Sequence, residues 1–376
     1  MQEFKVNDYI TLKLENKKTN IYVKGEFFEQ CTSLLVNIPA EGIDSYNEFE
    51  SIDEIIKKLG RTGNRQLGVE YKLTPETEFF GHCSNLQAWV EYNYDTRILD
   101  SELAFPLLKE LAKLGDYIAR KVFKEEISKR LASGFPSVIT YLIEEGYDSY
   151  LSREEYLFSL LKIRDAEVLL DLERIIGCQF QVKNNLDDFR EIDECDRIEI
   201  KFNNIIGITL SCEELTNDII KPIKKLRYLR KLYLYAGRLK MFEELLPSIK
   251  KLDDLRIFCD EINKVPKTIG ILTNLKILVI SGKIAQSIPP SIRHLKSLKV
   301  LSLRDNRLIT LPKSIGSLDS LERLDLVHNP LNILVETIKN LHSLKELVLD
   351  KKQAGEERNT KIIDFLKKKG VKITII

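Results

Sequence analysis

The stretch LKSLKVLSLRDNRLITLPKSIGSLDSLERLDLVHNPLNILVETIKNLHSLKELVLD, residues 295–350, decides the fold. Leu295, Leu318 and Leu341 stand at one constant interval, and Leu272 lies the same interval before the first. Behind them Leu298, Leu301 and Leu303 recur as Leu321, Leu324 and Leu326, then as Leu344, Leu347 and Leu349. Asn306 returns as Asn329, Ile288-Pro289 as Leu311-Pro312, and Ser291-Ile292 as Ser314-Ile315. A fixed period of this length marks a stack of identical units, none of which can bury its apolar side alone. Within each unit LxxLxL sends alternate apolar side chains of a short strand to one side. The Asn satisfies backbone where the chain leaves the strand, and the Pro and SIxxL make a tight return. Stacking then predicts a parallel sheet on the concave side over one continuous core.

Four repeats in phase resemble the leucine-rich-repeat (LRR) superfamily, and the IPxSIGxLxSL wording is similar to its intracellular Ras-group or plant-intracellular type. Earlier in the chain Leu229, Leu232 and Leu234 spell another strand, and NIIGITLSCEEL (residues 204–215) a first one with Ile208 and Leu210 inward. Between them Leu255xxPhe258 reads as a strand of a shortened coil, because Leu252 stands closer to Leu272 than Leu272 does to Leu295. The total is about seven coils over 197–350. Gly237, Lys283 and Lys352 stand where the repeat Asn is missing, so those coils are expected to leave their strands differently. KIIDFLKKKGVKITII, residues 361–376, reads as an amphipathic helix, a Gly370 stop and a short strand that cap the last coil over 351–376.

The repeat names a surface. Residues flanking the inward leucines face outward on the concave sheet, which places Tyr233 and Tyr235 at one side, Ile277, Val279 and Val300 in an apolar middle, and Arg304, Arg323, Asp325 and His328 beyond. Ile257 and Cys259 are assigned to the same rows from the shortened coil. An apolar centre with Tyr and Arg nearby is the composition of a protein interface.

The first half differs in period. Residues 4–38 alternate like strands, with a polar stretch 15–20 that suggests a hairpin, followed by LLVNIP as a strand and SIDEIIKKLG as a short helix. GRTGNRQLG, residues 60–68, lacks the Lys and Ser/Thr of a phosphate loop and reads as a plain loop. From Thr74 the period turns helical, Thr74 capping and Pro75 opening the first of several short helices. The expected fold is α+β over 1–196, a strand-rich segment 1–73 and a helical bundle 74–196, followed by the α/β leucine-rich-repeat solenoid. TPETEFFGHCSNLQAW, YDTR and LAFPLLKELAKLGD ahead of the repeats resemble a group of archaeal LRR proteins, a resemblance that implies a fold and no reaction.

Net charge is +1 over 376 residues, and the mean hides a division. Residues 1–196 carry 24 Lys+Arg against 37 Asp+Glu, or −13; residues 197–376 carry 34 against 20, or +14. The six Cys are scattered with no CxxC pair, and only four His are present. That spacing predicts no metal site, no cofactor and reduced thiols in a cytoplasm. No apolar run reaches the ~18 residues of a membrane helix, and the N-terminal residues do not read as a signal peptide. His82 beside Cys83 invites a nucleophile–base reading, but neighbours on a helix point about 100° apart, and Phe79, Phe80, Cys83, Leu86 and Val90 make a core stripe. The expected function is non-enzymatic protein recognition or scaffolding on the concave face, with a small GTPase or its effector as the partner class the resemblance implies. The alternative is an RNA- or ribosome-associated factor using the basic half.

Overall fold

The computed structural model describes residues 2–28, 54, 73–183, 185–186, 196–261, 264–282 and 287–376. The strand read at LLVNIP, the helix SIDEIIKKLG apart from Glu54, and the loop GRTGNRQLG lie outside the described residues. The chain divides into two compact units, 1–133 with 138–152, and 134–137 with 153–376.

The first unit opens with a four-stranded antiparallel sheet in chain order, β1 (Gln2–Lys5), β2 (Ile10–Glu15), β3 (Lys18–Val23) and β4 (Glu26–Phe27). The hairpin predicted at residues 15–20 is β2–β3. Its two turn residues, Asn16 and Lys17, both take positive φ (53° and 64°), the primed turn whose twist matches the strands. Ile10, Leu12, Ile21 and Val23 bury one face of this sheet, and α1 (Pro75–Glu91) packs on β2 and β3. Thr74 accepts the Thr77 amide at 3.2 Å, so the predicted cap is the one used. Asp100 and Asp116 cap α2 (Ser101–Lys113) and α3 (Tyr117–Ala132) in the same way. α4 (Pro136–Glu144) follows.

The second unit is a ten-stranded sheet in chain order from β5 to β14, parallel throughout except for one pair. That pair is the hairpin β6 (Arg197–Lys201) with β7 (Asn204–Glu214); β5 (Gln181–Lys183) lies outside β6. α5 (Arg153–Leu160) and α6 (Ile163–Ile176) belong to this unit, and α6 packs on β7 and on α7 (Asn217–Ile223). Asp165 on α6 is buried and accepts the Ile205 amide of β7 at 2.8 Å. These helices cover the apolar end that the first coil would otherwise expose.

The strands that follow are β8 (Lys231–Arg238), β9 (Asp254–Glu261), β10 (Ile277–Gly282), β11 (Val300–Ser302), β12 (Arg323–Asp325) and β13 (Glu346–Leu349), with α8 (Phe242–Leu245) after β8. Leu232, Leu255, Leu278, Leu301, Leu324 and Leu347 align across them as one fully buried row. This register corrects the reading of a shortened coil. Leu229, Leu252, Leu275, Leu298, Leu321 and Leu344 follow one another at a single interval, so the repeat is unbroken. The LxxLxL of β9 is Leu252, Leu255 and Ile257, with Ile in place of the final Leu. Ile257 and Cys259 therefore point inward and are buried, and Asp254, Arg256 and Phe258 take the outward positions.

Asn306 and Asn329 form a ladder inside the solenoid. Asn329 Nδ2 donates to the carbonyls of Leu303, Leu326 and Val327, and its Oδ1 accepts the Leu308 amide. The next position is Lys352, which is exposed; Gln353 on α9 (Lys351–Gly355) reaches the Leu326 carbonyl instead, at 3.0 Å. Asn359 on α10 (Glu357–Lys368) then accepts the Leu334 amide, and β14 (Lys372–Ile375) pairs with β13. The predicted cap of helix, Gly370 turn (φ 85°) and strand is present.

Candidate partner-binding face

Strand alternation sends every second side chain of β7–β13 to the concave side. Ile277 lies against Val300, and Val279 beside Arg256 on one strand and Ser302 on the other. Ile277, Val279 and Val300 are half-buried and form an apolar strip, as the spacing implied. Tyr233, in contrast, is 1% exposed. The Arg256 guanidinium lies 4.5 Å over its ring, and its hydroxyl donates to Asp254 Oδ2 at 2.9 Å. Asp254 also receives Arg256 Nη2 at 2.8 Å. What the face presents at that point is a neutral Arg–Asp pair, which no reading of Tyr233 alone supplies.

On the other flank Arg323 Nη1 donates to Glu346 Oε2 at 2.5 Å and stands 3.9 Å from Asp325. Asp325 is 5% exposed because its Oδ1 turns back to accept the Val327 amide. Thr374, then Arg323 and Lys372, hold the Glu346 carboxyl below its usual range. Arg304 lies 3.6 Å from Asp305, and Asp305 bonds His328 at 2.5 Å; both Asp305 and His328 are in the left-handed region that precedes each ladder Asn. At the start of the sheet Lys231 donates to Glu199 at 2.9 Å. Lys231, Arg256, Arg304 and Arg323 thus stand against carboxylates, so these sheet residues do not carry the net positive charge of the C-terminal half.

Tyr235 is half-buried and stacks on Phe258 of the next strand, centroids 4.7 Å apart and planes at 11°. The ring pair lies in an open hollow of about 670 Å³ at the C-terminal ends of β7–β10. The hollow lies where β7, β8 and β9 run past the point at which the ladder Asn would turn them. With Gly237 and Asp260 at the Asn positions, β8 and β9 keep pairing through Arg238 and Glu261, while β11 and β12 each stop at the third position. Sequence reasoning misses Phe258 because Leu255xxPhe258 imitates a coil that starts at Leu255 rather than Leu252; the unbroken leucine interval is the signal that finds it.

The His82–Cys83 stretch lies on α1 in the first unit. His82 is buried, neither ring nitrogen has a hydrogen-bond partner among the described residues, and Glu78 Oε1 is 3.9 Å from Nε2. Burial pushes the Cys83 thiol up to about 11, the reverse of an activated nucleophile. Trp89 and Tyr94 meet edge to face at 4.8 Å, and Tyr94 donates to Asp116 at 2.5 Å. Phe79, His82, Cys83, Leu86 and Trp89 are core, whereas Phe80 of the expected stripe is exposed; YDTR is the closing turn, where Asn93 and Tyr94 take positive φ and Arg97 pairs with Asp95 at 2.6 Å.

Burial holds the His82 imidazole below its usual value, with Glu78 opposing. The unfolded chain protonates as pH falls through about 6.5, whereas the folded chain does not. The contribution of neutral His82 is therefore fully present above that pH and is lost as pH falls toward the depressed folded value. Trp89, the only Trp, reports on this unit. Urea midpoints followed by its fluorescence should fall between pH 7.5 and 5.5 more steeply in the wild type than in His82→Leu. Equal slopes would mean that His82 is already charged in the fold.

The sheet of inward leucines, the Asn ladder and the one-turn returns define a leucine-rich-repeat arc. Residues 208–374 match the family model described as a leucine-rich repeat region. No curated protein matches the chain. Among solved structures, a leucine-rich-repeat protein of Leptospira interrogans is 28% identical, with a TM-score of 0.32 over 42% of this chain and 48% of its own. The ectodomain of the plant membrane receptor kinase GASSHO1/SCHENGEN3 from Arabidopsis thaliana is 28% identical, with a TM-score of 0.29 over 38% of this chain and 18% of its own. A plant ice-binding protein is 21% identical, with a TM-score of 0.34 over 50% of this chain and 73% of its own. The chain spans less than half the length of the first two. Among the described residues no helix is long and apolar enough to cross a membrane, and no cluster of His, Cys, Asp and Glu has the arrangement of a metal site.

Proposed function

We propose that this protein recognises a protein partner on the concave face of its repeats. The observation that carries the reading is the half-buried strip Ile277, Val279 and Val300, flanked by the Arg256–Asp254 and Arg323–Glu346 pairs. An apolar centre with an ordered polar rim is how protein interfaces are built. The Ras-type wording of the repeats supports a small GTPase or its effector as the first partner class to test. The neutral pairing of the sheet's cations argues against tracking of an RNA backbone along it, because phosphate contacts need uncommitted Lys and Arg.

The test is capture from native lysate with wild type, Val279→Arg/Val300→Arg and the control Thr273→Arg, in the exposed turn ahead of β10, each first shown folded. A protein held at about 50 mM and at about 200 mM salt, lost in the double variant and kept by the control, is the expected result. Phosphate-driven binding weakens by about 10³–10⁵ over that range, so recovery of RNA at the lower salt only, indifferent to the double variant, would replace this reading with the nucleic-acid one.

A further inference from the structure

The stacked ring pair has neighbours that make it more than a packing contact. Along the row it occupies, the order across β7–β10 is Ser211, Tyr235, Phe258, Ser281. The serines are small, so the outer π-face of each ring has no bulky neighbour in the row. At the next outward position along the same face come Glu213, Gly237 and Asp260. Glu213 and Asp260 are exposed, and they lie two strands apart, about 10 Å. Gly237 between them has no side chain, and the Glu213 carbonyl would lie 2.8 Å from a Cβ there. The result is a slot with a glycine floor, a carboxylate on each side and an aromatic stack behind it. Among the described residues no Lys or Arg lines this hollow.

We infer that this slot takes an arginine side chain of the partner, its guanidinium over Gly237 between Glu213 and Asp260 and its flat face or stem against Tyr235 and Phe258. A guanidinium is planar, weakly hydrated, stacks on aromatic faces and donates to carboxylates on two sides. The inference rests on the concave-face reading and deepens it: the apolar strip gives contact area, and the slot selects a partner segment with arginine beside an apolar residue.

The probe is acetyl-Phe-Arg-amide against acetyl-Phe-Glu-amide, titrated on the whole chain by saturation-transfer NMR. The arginine peptide should bind the wild type at least on the order of tenfold more tightly than the glutamate peptide. Glu213→Gln/Asp260→Asn should remove that difference, and Phe258→Ala should weaken the arginine peptide. The two carboxylates are exposed, so neutralising them leaves the core intact even if Phe258→Ala does not fold. Equal affinity for the two peptides, no binding of the arginine peptide, or binding indifferent to the carboxylate variant would overturn the inference. Partner capture separates the two readings: loss in Val279→Arg/Val300→Arg with retention in Glu213→Gln/Asp260→Asn leaves concave-face recognition standing without the arginine slot. Retention in both sinks the concave face as well.

Discussion

Gly282→Ala should lose about 4 kcal/mol or more of the stability of the repeat unit, a cost reached only by backbone strain and collision acting together. Gly282 closes β10 with φ 140°, a conformation that L side chains rarely adopt. A Cβ there would lie 1.6 Å from the Cys259 carbonyl oxygen, inside covalent distance, and that oxygen belongs to backbone that cannot swing away. The Gly282 amide donates to the Asp305 carbonyl, so moving the glycine breaks the step to the next coil as well. Repeats of this kind hold one another through neighbouring interfaces, so the damage should spread from β10 to its neighbours and fade with distance. Hydrogen exchange resolves this: amides of β9–β11 should lose protection while those of α1 in the first unit keep theirs. A variant within about 1 kcal/mol of wild type would mean that the chain leaves β10 by another path.

Asn329→Ala comes next, with an expected loss of about 3 kcal/mol. The side chain is 8% exposed and makes four hydrogen bonds, three as donor to carbonyls and one as acceptor from Leu308. Truncation leaves the buried Leu308 N–H wholly unsatisfied, at about 1–3 kcal/mol, and takes one donor each from the Leu303, Leu326 and Val327 carbonyls, which keep Asn306, Gln353 and the Asp305 amide. Asn329→Asp sharpens the test. The carboxylate has nearly the same shape and still accepts the Leu308 amide, but it cannot donate, and it sets a charge against three carbonyl oxygens. It should therefore be at least as damaging as alanine. Urea unfolding followed by far-UV circular dichroism reads both; an aspartate variant as stable as wild type would show that the ladder bonds contribute little.

Both predictions come from positions that the repeat itself marks, and this measures how much the sequence carries. The repeat period, the inward leucines, the ladder Asn and the C-terminal cap follow from local spacing, because each coil repeats one solution to one burial problem. The β2–β3 hairpin and the Thr74 cap are likewise local, written in two turn residues and one hydroxyl. The apolar strip Ile277, Val279 and Val300 was legible for the same reason: alternation along a strand needs no knowledge of what lies beside it. Of the coils without Asn around the hollow, sequence reasoning marks those of Gly237 and Lys283 and misses that of Asp260, whose phase it misreads.

Coverage and pairing needed the tertiary structure, and the structure also exposed a misreading of phase that the leucine interval could have prevented. In β9 Ile257 takes a leucine's place, and Leu255xxPhe258 imitates a coil starting at Leu255 instead of Leu252. Tyr233 looked like a surface residue until Arg256 and Asp254, one coil further on, were laid beside it. Gln353 assumes the ladder role that Lys352 does not fill because α9 turns its side chain inward. His82 and Cys83 looked chemical as neighbours in sequence, yet burial leaves one neutral and the other protonated. Exposure and pairing of each side chain are set by residues a whole coil away in the chain, brought to about 5 Å only when the strands stack. The sequence by itself therefore determined that this chain forms a repeat arc and which leucines line its core, but not that Tyr233, Ile257 and Cys259 join them. The stacking alone decided which outward side chains remain open to a partner.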